Sequence, residues 1–422
     1  MGGLVVVVDG FSMGAVLAGQ LAARVSCVHV LSDERYLARF AGGEVPDIYT
    51  DSFILGRDGD VKVISDALAT YGPAEVVAGS EWGVWLAEAL AVGLGVPTNS
   101  AGGTHLRRNK FDMVEAAGAA GLAVAAQAMV TDGEQAAHWM VGLGLERAVA
   151  KPLESAASDN VFICDSPASL GAAVSTIRAS RSVMLTTNEK VVVQQFLDGT
   201  EYVVNTVSGA GEDKVSEVWR VTKYLSDEGR NLYDFDDLCD PVSADAKDVI
   251  DYVRRLLPVL GMVHGAGHTE VMRGTQGVRL IESAARVSGA ANPQAIRVAT
   301  GNDQIGLLVD LLTRPAAFRE APEVYPLLQS VRCVHLMTGV RRVFSHARTL
   351  AFLQTLPTFS NIVFRSRDGA QLEPTVDVAT CPGAFFLVAA SSLDIHRDYL
   401  AFRAWELSLD RQAQTLEEAA HA

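Results

Sequence analysis

The run Leu4-Val5-Val6-Val7-Val8 is apolar at every position, and Asp9-Gly10 and the helix-forming stretch Met13 to Ala23 follow it closely. A short apolar run without alternation must bury both faces, so it reads as an interior strand that turns sharply into a covering helix. Cys27 to Leu31, the helical stretch Val61 to Tyr71, Glu75 to Ala78 and the helical stretch Trp82 to Leu94 repeat the pattern. That order predicts a parallel α/β domain over residues 1–105. A dinucleotide site in its first turn would need G-x-G-x-x-G, whereas the chain has Asp9-Gly10-Phe11-Ser12-Met13-Gly14. These glycines are read instead as permitting the turn and close packing.

After Gly95-Val96-Pro97-Thr98-Asn99 the pattern changes. Helices are predicted over Leu106 to Ala120, Glu134 to Gly142 and Pro167 to Ala179. Short strands are predicted over Gln127 to Val130, Ala148 to Lys151, Val161 to Cys164 and Val191 to Gln195. Together they make a small α+β lobe, residues 106–198. A lobe of longer antiparallel strands follows over 199–320. Glu201 to Val207 and Val215 to Val221 flank the turn Gly209-Ala210-Gly211, and Gly267 to Arg273 and Val278 to Ser283 flank a turn from Gly274 to Gly277. A helix from Ala244 to Leu260 lies between the two hairpins. Residues 321–422 read as a mixed lobe with turns at Arg367-Asp368-Gly369 and Cys381-Pro382-Gly383. The fold class is therefore α/β followed by α+β.

With 422 residues, 49% of them hydrophobic, the chain can bury several cores. Its 35 basic against 50 acidic residues argue against binding nucleic acid or anionic membranes by bulk charge. A polyanionic ligand must therefore meet a local cationic site. The stretch Ala116 to Thr131 is interrupted by Gln127 and is shorter than the roughly 18 to 20 apolar residues a membrane span needs. Five cysteines, Cys27, Cys164, Cys239, Cys333 and Cys381, lie far apart without a C-x-x-C pair. That pattern fits reduced, mostly buried thiols in a cytoplasmic protein and not a disulfide framework or a zinc cluster. The start Met1-Gly2-Gly3-Leu4 lacks the basic segment of an export signal.

The chemistry concentrates in His268-Thr269-Glu270 and in Leu280-Ile281-Glu282-Ser283-Ala284-Ala285-Arg286. Glu270 and Glu282 lie on the two strands of one predicted hairpin and can oppose each other at about 5 Å. Like charges so placed destabilise a sheet unless a cation lies between them or both point into solvent. Mg²⁺ suits the first case, because it takes hard oxygen ligands and commonly combines one or two carboxylates with substrate phosphates. Arg286, where the strand gives way to a loop containing Gly289, could reach a phosphoryl group with its two-pronged guanidinium, or could make a surface ion pair. Lys151 ends a buried strand in Val149-Ala150-Lys151-Pro152, where an ammonium is costly unless an anion meets it. Lys110, in Arg107-Arg108-Asn109-Lys110, reads either as a second phosphate ligand or as part of a solvated helix start. The small polar turn Ser155 to Asn160, with Ser158 in its middle, could fold over phosphates through main-chain N–H groups. Gln194-Gln195-Phe196-Leu197 could pair with an adenine edge and pack its face, and Glu201 could accept from ribose hydroxyls.

Taken in order, these segments resemble the ATP-grasp family from about residue 100 to 315. The resemblance extends to an N-terminal Rossmann-like parallel α/β domain and a C-terminal mixed lobe. It implies ATP as cosubstrate, with Lys110 and Lys151 on its phosphates, Ser155, Ser158 and Asn160 in a lid, Gln194 to Leu197 at adenine and Glu201 at ribose. It also implies Mg²⁺ on Glu270 and Glu282, with two ions and Mn²⁺ as a substitute. Within the family, Ile281-Glu282-Ser283-Ala284-Ala285-Arg286 with Gly289, preceded by His268-Thr269-Glu270, is most similar to the L-amino-acid ligases of the bacilysin-synthesis type. Ala284 stands where many ATP-grasp enzymes have an Asn, a departure those dipeptide ligases share. Arg286 and Lys151 are thus expected to be catalytic. His268, Gly289, Ala290 and either Asp236 or Asp237 are expected to contact substrate, with Ala290 leaving room for a larger first amino acid. For the aspartates a solvated acidic loop is an equal reading. The expected reaction joins a carboxylate and an amine, both from amino acids, through an acyl phosphate. The expected enzyme is cytoplasmic, and whether it forms a homodimer stays open. Two other readings stay open: a ligase acting on other acids or amines, and a silent ATP-binding protein.

Overall fold

A computed structural model describes residues 3–36, 45–56, 59–155, 159–182, 184, 187–225, 231–289, 292–378 and 380–421. The chain divides into two compact units. The first comprises Met1–Glu217, Ala244–Ala291 and Asp303–Tyr325, and the second comprises Val218–Ser243, Asn292–Asn302 and Pro326–Ala422.

The first unit opens with β1 (Leu4–Val8), α1 (Met13–Ala22), β2 (Cys27–Leu31), β3 (Asp51–Ile54), α2 (Val61–Ala69), β4 (Pro73–Ala78) and α3 (Val84–Leu94). The strands form a parallel sheet in the order β3-β2-β1-β4. Val5 to Val8 are at most 1% exposed, as an interior strand requires. The glycines of the first turn serve packing: a Cβ on Gly14 would lie 2.1 Å from the carbonyl oxygen of Gly79, which follows β4. Ser80 and a short 3₁₀ turn, Glu81–Gly83, separate β4 from α3, so the helix begins two residues later than the sequence suggests.

A second sheet of the same unit contains β5 (Gln127–Val130), β6 (Ala148–Pro152), β7 (Phe162–Cys164) and β8 (Val191–Gln195) in the order β5-β8-β6-β7. Helices α5 (Gly133–Gly142) and α6 (Pro167–Ala179) cover it. Ser166 and Ser169 form a capping box at the start of α6, with Pro167 in its first turn. The helix before this sheet, α4 (Lys110–Ala119), starts later than the predicted Leu106 because Asn109 caps it, accepting from the Phe111 and Asp112 amides.

The long strands are β9 (Thr200–Gly209), β10 (Glu212–Leu225), β11 (Asn231–Leu238), β12 (Gly265–Gly274) and β13 (Gly277–Ala284), with α7 (Ala244–Val259) preceding β12. In the first unit the order is β13-β12-β9-β10, and β10 carries the chain into the second unit. Helix α7 buries Ala246, Val249, Ile250, Val253, Leu256 and Leu257, an i, i+3, i+4 stripe.

In the second unit β11 is followed, in the order β11-β14-β18-β16, by β14 (Ser330–His335), β18 (Gly383–Ala389) and β16 (Phe359–Phe364). The pair β15 (Arg342–Val343) and β17 (Gln371–Leu372) stands apart from these four. Phe385, Leu387, Phe402 and Tyr399 build the core of this unit with the C-terminal helix, Ser392–His421. Strand β11 contains Asp236 and Asp237, so the acidic loop expected there is a strand. Among the described residues no helix is long and apolar enough to cross a membrane, and all five cysteines are free.

Asp9 follows β1 at φ 49° with no exposed surface, and it accepts from the Ser32 amide at 2.9 Å and from the Ser32 hydroxyl. Burial pushes its carboxyl up from 3.8 to about 6, against the lowering effect of both Ser32 bonds. A carboxyl raised in the folded state contributes stability that is complete below its unfolded value and is lost as pH rises through the folded value. At about 1.4 kcal/mol per unit, the charged form costs on the order of 1 to 3 kcal/mol at neutral pH. Asp9→Asn is therefore expected to raise stability by that amount at pH 7 and to give no gain below pH 4. Urea midpoints across pH 3.5 to 8 check this, and a difference independent of pH contradicts it.

Candidate active site

Side chains on one face of the long sheet follow from its register. Glu270 of β12 lies directly opposite Glu282 of β13 and opposite Val203 of β9. Because cross-strand partners share a face and side chains alternate along a strand, Glu201, Asn205, His268, Glu270 and Glu282 lie on one face. The opposite face carries Val204, Thr269, Val271, Leu280 and Ser283, all at most 1% exposed. That face packs against α4 and α7: the Ser283 amide meets Met113 Sδ at 3.1 Å, and the Leu280 amide donates to the Tyr252 hydroxyl. A bulge between Glu270 and Val271 inserts Ile281 into β13, and the Ile281 carbonyl accepts from Lys151 Nζ at 3.4 Å. Bulges re-aim side chains, and this one sits beside the two glutamates.

Both lysines expected at the phosphates stand next to this pair. Lys110 Nζ lies 2.8 Å from Glu282 Oε1 and donates to the Ser155 carbonyl at 3.1 Å. The solvated helix start is thereby corrected, since Lys110 and Arg107 are 3% and 1% exposed. Arg107 donates to Glu88 and to the carbonyls of Ser100 and Leu260, which fixes the segment from which α4 begins. Lys151 is 5% exposed, and burial pushes its ammonium down to about 8, with Glu282 as the main opposing charge. An ammonium in that condition favours an additional anion.

Arg286 follows β13 and donates from Nε to Glu81 Oε2 at 2.7 Å and from its NH1 group to the Val287 carbonyl at 2.9 Å. The second oxygen of Glu81 pairs with Arg108, which also donates to the Glu81 carbonyl at 2.7 Å. Burial pushes the Glu81 carboxyl up, but Arg108, Arg286 and Lys110 together hold it below its ordinary range. Glu81 escaped the sequence reading. Its signal was its place just past β4, because the carboxyl ends of parallel strands are where such sheets put functional groups.

Of the expected adenine and ribose residues, Gln194 is buried and donates to Gln127 Oε1 at 3.1 Å, and Gln195, Phe196, Leu197 and Glu201 are half-buried. The Arg147 guanidinium covers the Phe196 ring at 4.0 Å. Ser155 donates to the Asp159 carbonyl, Asn160 adopts φ 55°, and Ser158 lies outside the described residues. His268 meets Asn205 at 2.9 Å and Glu270 at 3.4 Å. Asn205 in turn donates to Glu217, so the imidazole is oriented from behind. Gly289 is exposed, and Ala290 lies outside the described residues. Asp236 and Asp237 belong to the second unit. There Asp236 meets His335 at 2.9 Å, and Asp237 accepts from Arg332 and Arg220, so neither is a solvated loop acid.

Two opposed carboxylates offer hard oxygens to a divalent cation, and two buried lysines and an arginine offer positive charge to phosphates. The donor set therefore fits Mg²⁺ with a nucleoside triphosphate.

The chain is similar to several known proteins. Residues 146–294 match the family model described as an ATP-grasp domain. Dapdiamide A synthase from Enterobacter agglomerans is 31% identical over 341 residues, covering 80% of this chain and 78% of that protein. The L-amino acid ligase from Bacillus licheniformis has the same fold, with a TM-score of 0.74 at 15% identity over 95% of this chain and 97% of that one. So does carboxyaminoimidazole ribonucleotide synthase from Aspergillus clavatus complexed with ATP, with a TM-score of 0.69 at 14% identity over 96% and 98%.

Removing Glu81 would leave two guanidiniums without their shared carboxylate, one of them nearly buried. Breaking a buried pair from one side costs about 3 to 5 kcal/mol. Glu81→Ala is expected to lose stability in that range by chemical denaturation, and a loss below about 1 kcal/mol, typical of surface pairs, contradicts the bridging role.

Proposed function

The chain belongs to the ATP-grasp family of ATP-dependent carboxylate–amine ligases, and from that premise we propose that it joins two amino acids by a peptide bond. The observation that carries the proposal is the cross-strand pair Glu270 and Glu282, with Lys110, Lys151 and Arg286 close by on the same unit. One substrate's carboxylate oxygen attacks the γ-phosphorus of ATP, breaking the bond to ADP and forming an acyl phosphate. The second substrate's amine attacks the acyl carbon, loses a proton, and expels inorganic phosphate. Glu270 and Glu282 would hold Mg²⁺, two ions with Mn²⁺ able to substitute, which neutralises charge on the phosphates.

The remaining roles fall to the chain itself. Lys151 and Lys110 bind phosphate oxygens, and an ammonium depressed by burial gains most from an arriving anion. Arg286, held by Glu81, stabilises charge on the transferring phosphoryl group and on the tetrahedral oxyanion. Its second guanidinium edge is oriented because Nε is anchored. Ser155, Ser158 and Asn160 form the lid that keeps water from the acyl phosphate. Gln194 to Leu197 receive adenine, and Glu201 receives ribose. His268 contacts substrate in the orientation set by Asn205, and Ala290 leaves space for a bulky first residue. The five free thiols suit a reducing compartment and support a cytoplasmic location.

The test is release of phosphate and ADP over a panel of amino-acid pairs, with mass spectrometry of each product. The panel includes other acids and amines, since one relative is a synthase of dapdiamide A. Failure of every amino-acid pair alongside turnover of another acid overturns the dipeptide reading. Arg286→Ala is expected to lower product formation at least 1,000-fold, about 4 kcal/mol of transition-state stabilisation, with ATP affinity changed less than about threefold. Glu282→Gln is expected to raise the KM for Mg-ATP at least tenfold and to lower kcat. Near-normal kinetics in either variant contradict the assignment.

A further inference from the structure

The second unit holds a group of side chains of which the proposed ligase chemistry calls on none but Asp236, and on that one only as an alternative to Asp237 at the substrate. Cys333 and His335 lie two residues apart on β14 and so share a face, and Asp236 of β11 is the direct cross-strand partner of Cys333. Val334 and Phe235, paired in the same register, point the other way into the aromatic core. A ring nitrogen of His335, Cys333 Sγ and a carboxylate oxygen of Asp236 all lie within 4.8 Å of one another. Cys333 and His335 are 3% and 2% exposed, while the Asp236 side chain, at 15%, opens the group towards solvent.

The group is not internally satisfied. His335 Nε2 and Asp236 Oδ2 are 2.9 Å apart, but His335 Nδ1 and Asp236 Oδ1 are buried without any hydrogen-bond partner. Each orphaned polar atom costs about 1 to 3 kcal/mol, and such atoms in a native protein call for an explanation. A divalent cation supplies one. Thiolate and carboxylate together carry two negative charges, so the loaded site would be neutral, as burial requires. One sulfur, one nitrogen and one oxygen donor select a borderline-soft ion of the zinc class over magnesium. Tetrahedral ligands at about 2.0 to 2.3 Å from zinc stand roughly 3.5 Å apart, so small side-chain rotations close the cluster.

We propose that Asp236, Cys333 and His335 form a zinc-class metal site, separate from the all-oxygen pair Glu270 and Glu282. Binding forms bonds from the cation to sulfur, nitrogen and oxygen, displaces water from the ion, and releases the thiol proton to solvent. Three protein donors leave a fourth position for water. Sequence spacing points away from such a site because the acid lies 99 residues from the histidine.

Cobalt(II) added to the metal-free full-length chain is the probe, because only a thiolate ligand gives a sulfur-to-cobalt charge-transfer band. One equivalent per chain is expected to develop that band, excess Zn²⁺ to bleach it, and millimolar Mg²⁺ to leave it unchanged. Cys333→Ser is expected to abolish it, His335→Gln to weaken cobalt binding at least tenfold, and Glu282→Gln to keep it. Absence of the band in the unaltered chain, or its persistence in Cys333→Ser, overturns the proposal. Should Cys333→Ser fold poorly, alkylation mapping in mild urea carries the same test. Zn²⁺ must lower labelling of Cys333 and spare that of Cys239, and equal labelling with and without zinc overturns the site.

Discussion

Two carboxylates facing each other across a β-ladder repel, and the chain around Glu270 and Glu282 is organised to make that arrangement tolerable. Opposed like charges destabilise a sheet by amounts comparable to a good cross-strand pair. Lys110 offsets one of them at 2.8 Å and Lys151 acts on both. Neither lysine could stand there without the acids, because each is almost fully buried. The site is therefore held by mutual compensation: acids and bases that would each be costly alone are retained together. The local charge runs against the acidic whole, which is how a chain of net charge −15 can serve a triphosphate.

The hairpin pattern made the two acids legible as neighbours, and a bulge that the pattern does not announce set them face to face. Reading Gly267 to Arg273 and Val278 to Ser283 as one hairpin brings Glu270 and Glu282 onto neighbouring strands, but a regular ladder from the Gly274–Gly277 turn would set Glu270 against Ile281 and leave Glu282 on the other face. The observed register, Glu270 against Glu282, arises because the bulge at Ile281 shifts β13 by one residue. The first four strands and their helices were equally readable, because buried parallel strands announce themselves as apolar runs. What could not be read was anything that depends on a partner distant in sequence. Arg286 read as either a surface arginine or a catalytic one, and its ion-pair partner Glu81, 205 residues away, could not be seen from the local sequence. Arg107 looked solvated because its partners, Glu88 and the Leu260 carbonyl, come from elements with no local connection to it.

The loop reading of Asp236 and Asp237 failed for a different reason. Phe235-Asp236-Asp237-Leu238-Cys239-Asp240-Pro241 has the composition of an acidic loop, yet Phe235 to Leu238 are strand. Acidic residues disfavour strands only weakly, and the pairing partners decide. Here Arg332 answers Asp237 and stacks on Phe235 at 3.7 Å, so the neighbouring strand supplies the charge that the local sequence lacks.

The same rule of parity separates two chemistries along one chain. In the first unit the register, set by the bulge at Ile281, brings the carboxylate oxygens of Glu270 and Glu282 together beside the linked pair Asn205 and His268. In the second it gathers Asp236, Cys333 and His335, donors of three kinds, with the apolar side of the same strands pinned into an aromatic core. A cation's preference follows from donor hardness and not from depth of burial alone. Each pattern of alternation therefore carries its own selectivity, and a change of one residue in register would exchange a polar face for a core face in either unit.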